Sequence, residues 1–175
     1  DLVCVPCDRY EMLGPAISSY LLNIPLAHFY GGEVTKGSQD DITRNSITKM
    51  SNFHFVTHPS HRKRVIQMGE NPKNVFLVGN MVVDNILFTK FFSKKTIEKK
   101  IKFKLSRKNI LITFHPITNK PLETKKQLAE ILKALKNIKQ ANFIFTKPNS
   151  DSGSEGIIKK IEDFIRKNKK RAKLY

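Results

Sequence analysis

LAHFYGGEVTKGSQDDITRNSITKMSNFHFV, residues 26–56, is the stretch whose reading decides the fold. Leu26 to Phe29 is a short apolar run and reads as a buried strand. Two glycines and a polar turn follow. Asp40 or Asp41 then stands where a helix cap is wanted, and the helix runs through Met50 with Ile42, Ile47 and Met50 inward and the acids at its positive end. Asn52 to Val56 is apolar again. Strand, glycine turn, helix and strand in direct succession predict a parallel sheet.

The alternation continues on both sides. Upstream, Leu2 to Pro6 reads as a strand, and Tyr10 to Asn23 as a helix with Met12, Leu13, Ala16, Ile17, Tyr20 and Leu21 at helical spacing, Pro15 being tolerated near its start. Downstream come a helix from Pro59 to Met68 closed by Gly69, a strand from Val75 to Val78 ending in Gly79-Asn80, and a helix from Val82. The expectation is a parallel sheet with helices on both faces. Such a sheet binds ligands at the carboxyl ends of its strands, where Asp8, Arg9, Glu33 and Gly79 fall.

A second unit of the same kind follows. Asn109 to Phe114 is a strand leading into the loop His115-Pro116-Ile117-Thr118. Glu123 to Lys139 is a helix with Leu128, Ile131, Leu132 and Leu135 on one face. Ala141 to Thr146 is a further strand, and residues 149–153 (NSDSG) lead a helix through about Asn168. Between the units, residues 91–107 are lysine-rich without strand character. The division expected is 1–90 for part of one Rossmann-like domain, 91–107 for a linker and 108–175 for the start of another. The chain opens at Asp1 and stops in RAKLY, where a new apolar element would begin, so a fragment lacking both ends is expected.

Composition narrows the function classes. Hydrophobic residues make up 39% of the 175, enough for a core. No run approaches the roughly 20 apolar residues that span a bilayer, and the start has no signal-type leader; a cytoplasmic protein without membrane partners is expected. Residues 1–89 hold eight basic and eight acidic residues, so the net +17 belongs wholly to residues 90–175. Lysines dominate that excess, and no zinc finger, RNP-type strand or helix-turn-helix accompanies it, so nucleic acid is not the expected partner. Lysine-covered helix faces with some attraction for phosphate-bearing substrates account for the charge. Cys4 and Cys7 have no second ligand pair for zinc and do not sit at a helix start as redox pairs do; they read as a buried strand thiol and a loop thiol.

Four groups could carry chemistry. Asp8-Arg9 closes the first strand, where an arginine can clamp a phosphate and an aspartate can act as base. Gly31-Gly32-Glu33 with Asp40, Asp41 and Arg44 offers backbone access and several carboxylates able to divide acid and base roles. His115, fixed by Pro116, could donate to a phosphate or polarise a leaving group. His54, His58 and His61 lack ligand spacing and read as structural.

Taken in order, Asp8-Arg9-Tyr10-Glu11, then His28 through Gly31-Gly32-Glu33, Asp40-Asp41-x-x-Arg44-x-x-Ile47-Thr48-Lys49, Gly69-Glu70, Val78-Gly79-Asn80, His115-Pro116-x-Thr118 and Asn149-Ser150-Asp151 resemble the hydrolysing UDP-N-acetylglucosamine 2-epimerases of sialic-acid-type sugar synthesis. The resemblance runs along nearly the whole chain. It implies an α/β protein of Rossmann-like parallel sheets in a two-domain, glycosyltransferase-B-like fold, holding a UDP-sugar and needing no metal or other cofactor. The chemistry implied is removal of the C2 proton, elimination of UDP to a glycal, and hydration to a free 2-epimerised sugar such as N-acetylmannosamine.

By the same resemblance Asp8 and Asp40 are the acid/base candidates, with Glu33 assisting. Arg9 and His115 contact the nucleotide or its phosphates; Asp41 and Arg44 complete the substrate-binding set, Arg44 chiefly by orienting the aspartates. A homo-oligomer is implied. Three positions depart from the family pattern: Cys7 stands where glycine is usual, Asn45 where histidine is usual, and Tyr30 where some relatives carry a catalytic carboxylate. A non-hydrolysing epimerase or a UDP-sugar glycosyltransferase on the same fold is the nearest alternative, and a basic nucleic-acid-binding module is the alternative from another class.

Overall fold

The structure is a computed structural model that describes residues 1–36, 38–116, 120–151 and 153–175. The chain divides into two compact units, Asp1–Thr89 and Lys90–Tyr175.

In the first unit four strands, β1 (Val3–Pro6), β2 (Leu26–Phe29), β3 (Phe53–Val56) and β4 (Val75–Leu77), form a sheet in the order β1-β2-β3-β4, every neighbour parallel. The connections carry α1 (Leu13–Leu21), α2 (Asp40–Met50) and α3 (Pro59–Gln67); α4 (Met81–Phe88) follows β4. Strands laid down in sequence order through crossovers of one hand put α1, α2 and α3 on the same face. The core confirms it. Val5 and Leu26 pack with Ala16 and Ile47, and Val56 and Val75 with Val65, all on one side of the sheet by register. Each of the valine, leucine and isoleucine side chains so buried contributes about 1.5–3 kcal/mol.

Helices on both faces were expected; of the described helices α1, α2 and α3 lie on one face. The opposite face carries Cys4, which is exposed rather than buried, and a stack of Phe29, Phe55 and Phe76 with ring centroids 4.7 and 5.3 Å apart. Two helical faces are also rephased. Ile17, Tyr20 and Leu21 of α1 are exposed, the buried stripe being Ala16 and Ser19. In α2 the buried residues are Thr43, Arg44, Ile47 and Thr48, and Ile42, expected inward, is 73% exposed. Position 42 lies nearly opposite position 44 at 100° per residue, and Arg44 holds the inward side because the Glu33 carbonyl, Asp41, Thr35 and Asp8 give its guanidinium polar partners there. The residue preceding α2 is Gln39, so Asp40 and Asp41 sit in the first turn and not at the cap.

The second unit repeats the plan with β5 (Asn109–Ile112), β6 (Asn142–Phe145) and β7 (Ala172–Leu174), parallel and in sequence order. The helices α6 (Pro121–Asn137) and α7 (Ser154–Lys167) cover one face with Leu128, Leu132, Leu135, Ile157, Ile161 and Phe164. Residues 91–107 carry α5 (Lys94–Ile101) and are tied to this sheet: Asn142 Nδ2 donates to the Lys104 carbonyl and Lys173 Nζ to that of Lys102. Among the described residues no helix is long and apolar enough to cross a membrane.

Candidate active site at the strand ends of the first unit

The carboxyl ends of β1, β2 and β3 are followed at once by polar residues, and these meet. Arg44 is their hub. It is 1% exposed, and because helical side chains lean toward the helix start it reaches back from the second turn of α2 to the loop before it. Nη1 donates to the Glu33 carbonyl at 2.8 Å and to Asp41 Oδ1 at 2.6 Å, while Nη2 donates to Thr35 Oγ1 at 2.8 Å and to Asp8 Oδ2. Asp41 also accepts from the Thr35 amide at 2.6 Å. The planar guanidinium is suited to such a four-way fork, which a lysine ammonium could not reproduce. Among the described residues its buried Nε has no partner.

Glu33 lies beside this hub, its Oε1 accepting from Thr57 Oγ1 at 3.0 Å. The Thr57 oxygen is 2.9 Å from His61 Nδ1; since its one hydroxyl proton goes to Glu33, the histidine nitrogen is the donor there. Burial lowers the His61 pKa, against the pull of Glu33. Asp40 belongs to a neighbouring arrangement: Ser38 Oγ donates to its Oδ2 at 2.5 Å, and Arg44 bonds Asp41 and Asp8 instead. Arg9 pairs with Glu11 at 2.9 Å. The structure therefore gathers Asp8, Asp41, Arg44 and Glu33, sets Asp40 on the adjoining first turn, and gives Arg9 an acidic partner of its own. In the second unit, His115 Nδ1 accepts from the Asn149 amide at 3.4 Å, which joins two of the motif loops there. Thr118 of the same motif lies outside the described residues.

The two glycines serve packing. Gly32 has φ +79, and a Cβ there would stand 2.4 Å from the His61 carbonyl oxygen. A Cβ on Gly31 would come within 3.2 Å of Thr48 Oγ1 and 3.3 Å of His28 Nδ1. Both positions press backbone against α2 and α3, so the reading of Gly31-Gly32 as a ligand's access route gives way to close approach of chain to chain. Sequence reasoning also passed over Thr35, Ser38 and Thr57. Thr57 was findable, since it follows the carboxyl end of β3 as Asp8 and Glu33 follow those of β1 and β2.

Behind the site lies a buried polar layer. His28 and His54 are neighbours in register on the helix-covered face, 0% and 1% exposed. His28 Nε2 is 2.9 Å from the Cys7 carbonyl and Nδ1 3.1 Å from Thr48 Oγ1. Burial lowers its pKa to about 4, with the nearby His54 and Arg44 adding to the effect, so the ring is neutral. His54 Nε2 is 3.2 Å from Glu70, which also takes Lys49 at 2.5 Å; burial lowers this histidine too. No group of three or more His, Cys, Asp or Glu able to hold a metal ion occurs among the described residues, and Cys4 and Cys7 are free thiols.

The whole chain, residues 1–175, matches a family described as UDP-N-acetylglucosamine 2-epimerase. It is 42% identical over 175 residues to a GDP/UDP-N,N'-diacetylbacillosamine 2-epimerase (hydrolyzing) of Campylobacter jejuni, covering all of this chain and 46% of that protein. To the polysialic acid biosynthesis protein P7 of Escherichia coli it is 38% identical, covering 97% of this chain and 43% of the other. Its fold is that of a Neisseria meningitidis UDP-GlcNAc 2-epimerase solved with UDP-GlcNAc, at a TM-score of 0.75 and 20% identity over 99% of this chain and 48% of that one. A Methanocaldococcus jannaschii enzyme solved with UDP-GlcNAc and UDP gives 0.71 at 17% identity, covering 100% and 49%. The chain thus spans about half the length of the relatives it matches.

Proposed function

Starting from the fact that this chain belongs to the UDP-N-acetylglucosamine 2-epimerase family, we propose that the protein acts in hydrolysing 2-epimerisation of a UDP-linked 2-acetamido sugar. The observation that carries the reading is the Arg44-centred cluster of Asp8, Asp41 and Glu33 at the strand ends, with Asp40 on the adjoining turn. A base takes the C2 proton, the C1–O bond to UDP breaks as the C1–C2 double bond forms, and water then adds its oxygen to C1 while a proton returns to C2 from the opposite face. The steps need two acid/base groups and no electron acceptor.

In this scheme Asp8 and Asp40 exchange the protons and Glu33 assists. Arg9 and His115 hold nucleotide or phosphate, displacing Glu11 and the Asn149 amide respectively. Arg44 and Asp41 set the position of Asp8. A sugar with a second acetamido group is the preferred substrate, because relatives at 42% and 33% identity bear the name N,N'-diacetylbacillosamine 2-epimerase. The enzyme is read as a cytoplasmic homo-oligomer whose basic second unit attracts the diphosphate.

The test is incubation with UDP-N-acetylglucosamine and with its diacetamido counterpart, following free UDP and the 2-epimerised sugar by NMR. Asp8→Asn and Asp40→Asn should each lower turnover by at least about 10²-fold. Normal turnover in both variants would overturn the assignment of the two aspartates.

A further inference from the structure

The buried His28 has a job that core packing does not explain. Its strand neighbour in register toward β1 is the apolar Val5, and an aliphatic side chain would fill the same layer without polar atoms to satisfy. Cys7, however, has φ 67, a left-handed conformation that takes its carbonyl off the β1–β2 ladder. The carbonyl so displaced takes its hydrogen bond from His28 Nε2 at 2.9 Å. Since a carbonyl only accepts, Nε2 carries the proton. The other nitrogen is then an acceptor and takes the one hydroxyl proton of Thr48, whose Oγ1 also lies 3.0 Å from the Arg44 carbonyl. One ring therefore holds the peptide that leads into Asp8 and is itself held by Thr48, one turn along α2 from Arg44. Gly31 leaves the space for it, since a Cβ there would crowd both the ring and Thr48.

We propose that His28 is a positioning residue, holding Asp8 toward Arg44 through the Cys7 carbonyl, while Thr48 fixes the orientation of the ring. Fully buried, it touches no substrate. Its effect on turnover rests on the epimerase reading; its effect on geometry does not.

Three substitutions separate the parts. His28→Gln can still donate to Cys7, His28→Asn reaches only toward Thr48, and His28→Leu keeps bulk alone. The ¹⁵N shifts of His28 should show Nε2 protonated and Nδ1 an acceptor. The Arg44 Nη–H resonances should be protected from exchange in the wild type and in His28→Gln, and lost in His28→Asn and His28→Leu. With a UDP-sugar as substrate, kcat should fall about 10²-fold in His28→Leu, the cost of a misplaced group, with KM changed by no more than about threefold, and His28→Gln should recover most of the loss. A proton on Nδ1, or equal Arg44 protection in the Gln and Asn variants, overturns the proposal, and that comparison holds even if the Leu variant does not fold. Wild-type protein with no turnover but the expected Arg44 pattern upholds the positioning role and removes the epimerase reading instead.

Discussion

Lowering the pH from about 7.5 to about 4.5 should destabilise the first unit through His28. Folded, this histidine titrates at about 4; unfolded, at 6.5. Between those values the unfolded chain binds the proton and the folded one does not, so stability rises with pH. The sign follows: stability is complete above about 6.5, falls as the pH drops, and loses no more from this group below about 4. At 1.36 kcal/mol per tenfold change in proton affinity the full loss is about 3 kcal/mol, and about 2 kcal/mol is gone by pH 5. Burial is the main cause; His54 and Arg44 oppose the added charge, and Asp8 and the Cys7 carbonyl favour it. His54 is lowered as well and steepens the same slope, so the isolating measurement is a difference. Urea unfolding followed by hydrogen exchange in α2, compared between wild type and His28→Gln across this range, should show a gap that shrinks by about 2 kcal/mol toward pH 5. A gap that stays constant, or a His28 imidazole resonance titrating near 6.5, would refute the reasoning.

Three further substitutions report on the same region. Arg44→Met should cost about 3 kcal/mol in urea unfolding, because it strips Asp8 and Asp41 of a buried cation while both keep some contact with water; a loss under about 1 kcal/mol would mean the fork contributes little. Gly32→Ala combines a left-handed backbone, about 1–2 kcal/mol, with a Cβ placed 2.4 Å from the His61 carbonyl, and should lose about 3 kcal/mol in all. Cys7→Gly should instead gain about 0.5–1 kcal/mol, visible as a small rise in Tm, since the strain at φ 67 outweighs the extra freedom of an unfolded glycine.

The alternation of elements was legible in the sequence because each apolar run is short and each helix starts with a recognisable turn. Which face each element buries was not. Strand order sends α1, α2 and α3 to one side, and no local pattern encodes strand order, so Cys4 on β1 reads as core and emerges exposed. Ile42 shows the second limit. Hydrophobicity phases α2 with Ile42 inward, yet the loop carbonyls and carboxylates around the helix start make Arg44 the better occupant. In the site, Asp8 and Glu33 were legible from the strand-end rule alone. Their meeting at Arg44 was not, because the contact joins residues 36 apart through a loop of irregular path.

Cys7 and Tyr30 show how the sheet is converted into a site. Each is the first residue past its strand, and each still donates its amide to the neighbouring strand, Cys7 to the Phe29 carbonyl at 3.1 Å and Tyr30 to that of Phe55 at 3.0 Å. Each then turns left-handed, at φ 67 and φ 70. The ladder is thus kept for one more bond on its donor side and broken on its acceptor side, which swings Asp8 and Gly31 out of the sheet. For residues with a Cβ this costs about 1–2 kcal/mol apiece, and two such costs at adjacent strand ends persist only where surrounding contacts overdetermine them. His28 on the Cys7 carbonyl is such a contact for the first turn. For the second it is the pressing of Gly31 and Gly32 against Thr48 and His61, with Arg64 Nη1 donating to the Gly32 carbonyl at 2.7 Å. The strain is therefore held by the same buried layer that fixes Arg44, so the geometry of the carboxylates and the stability of the sheet's end rise and fall together.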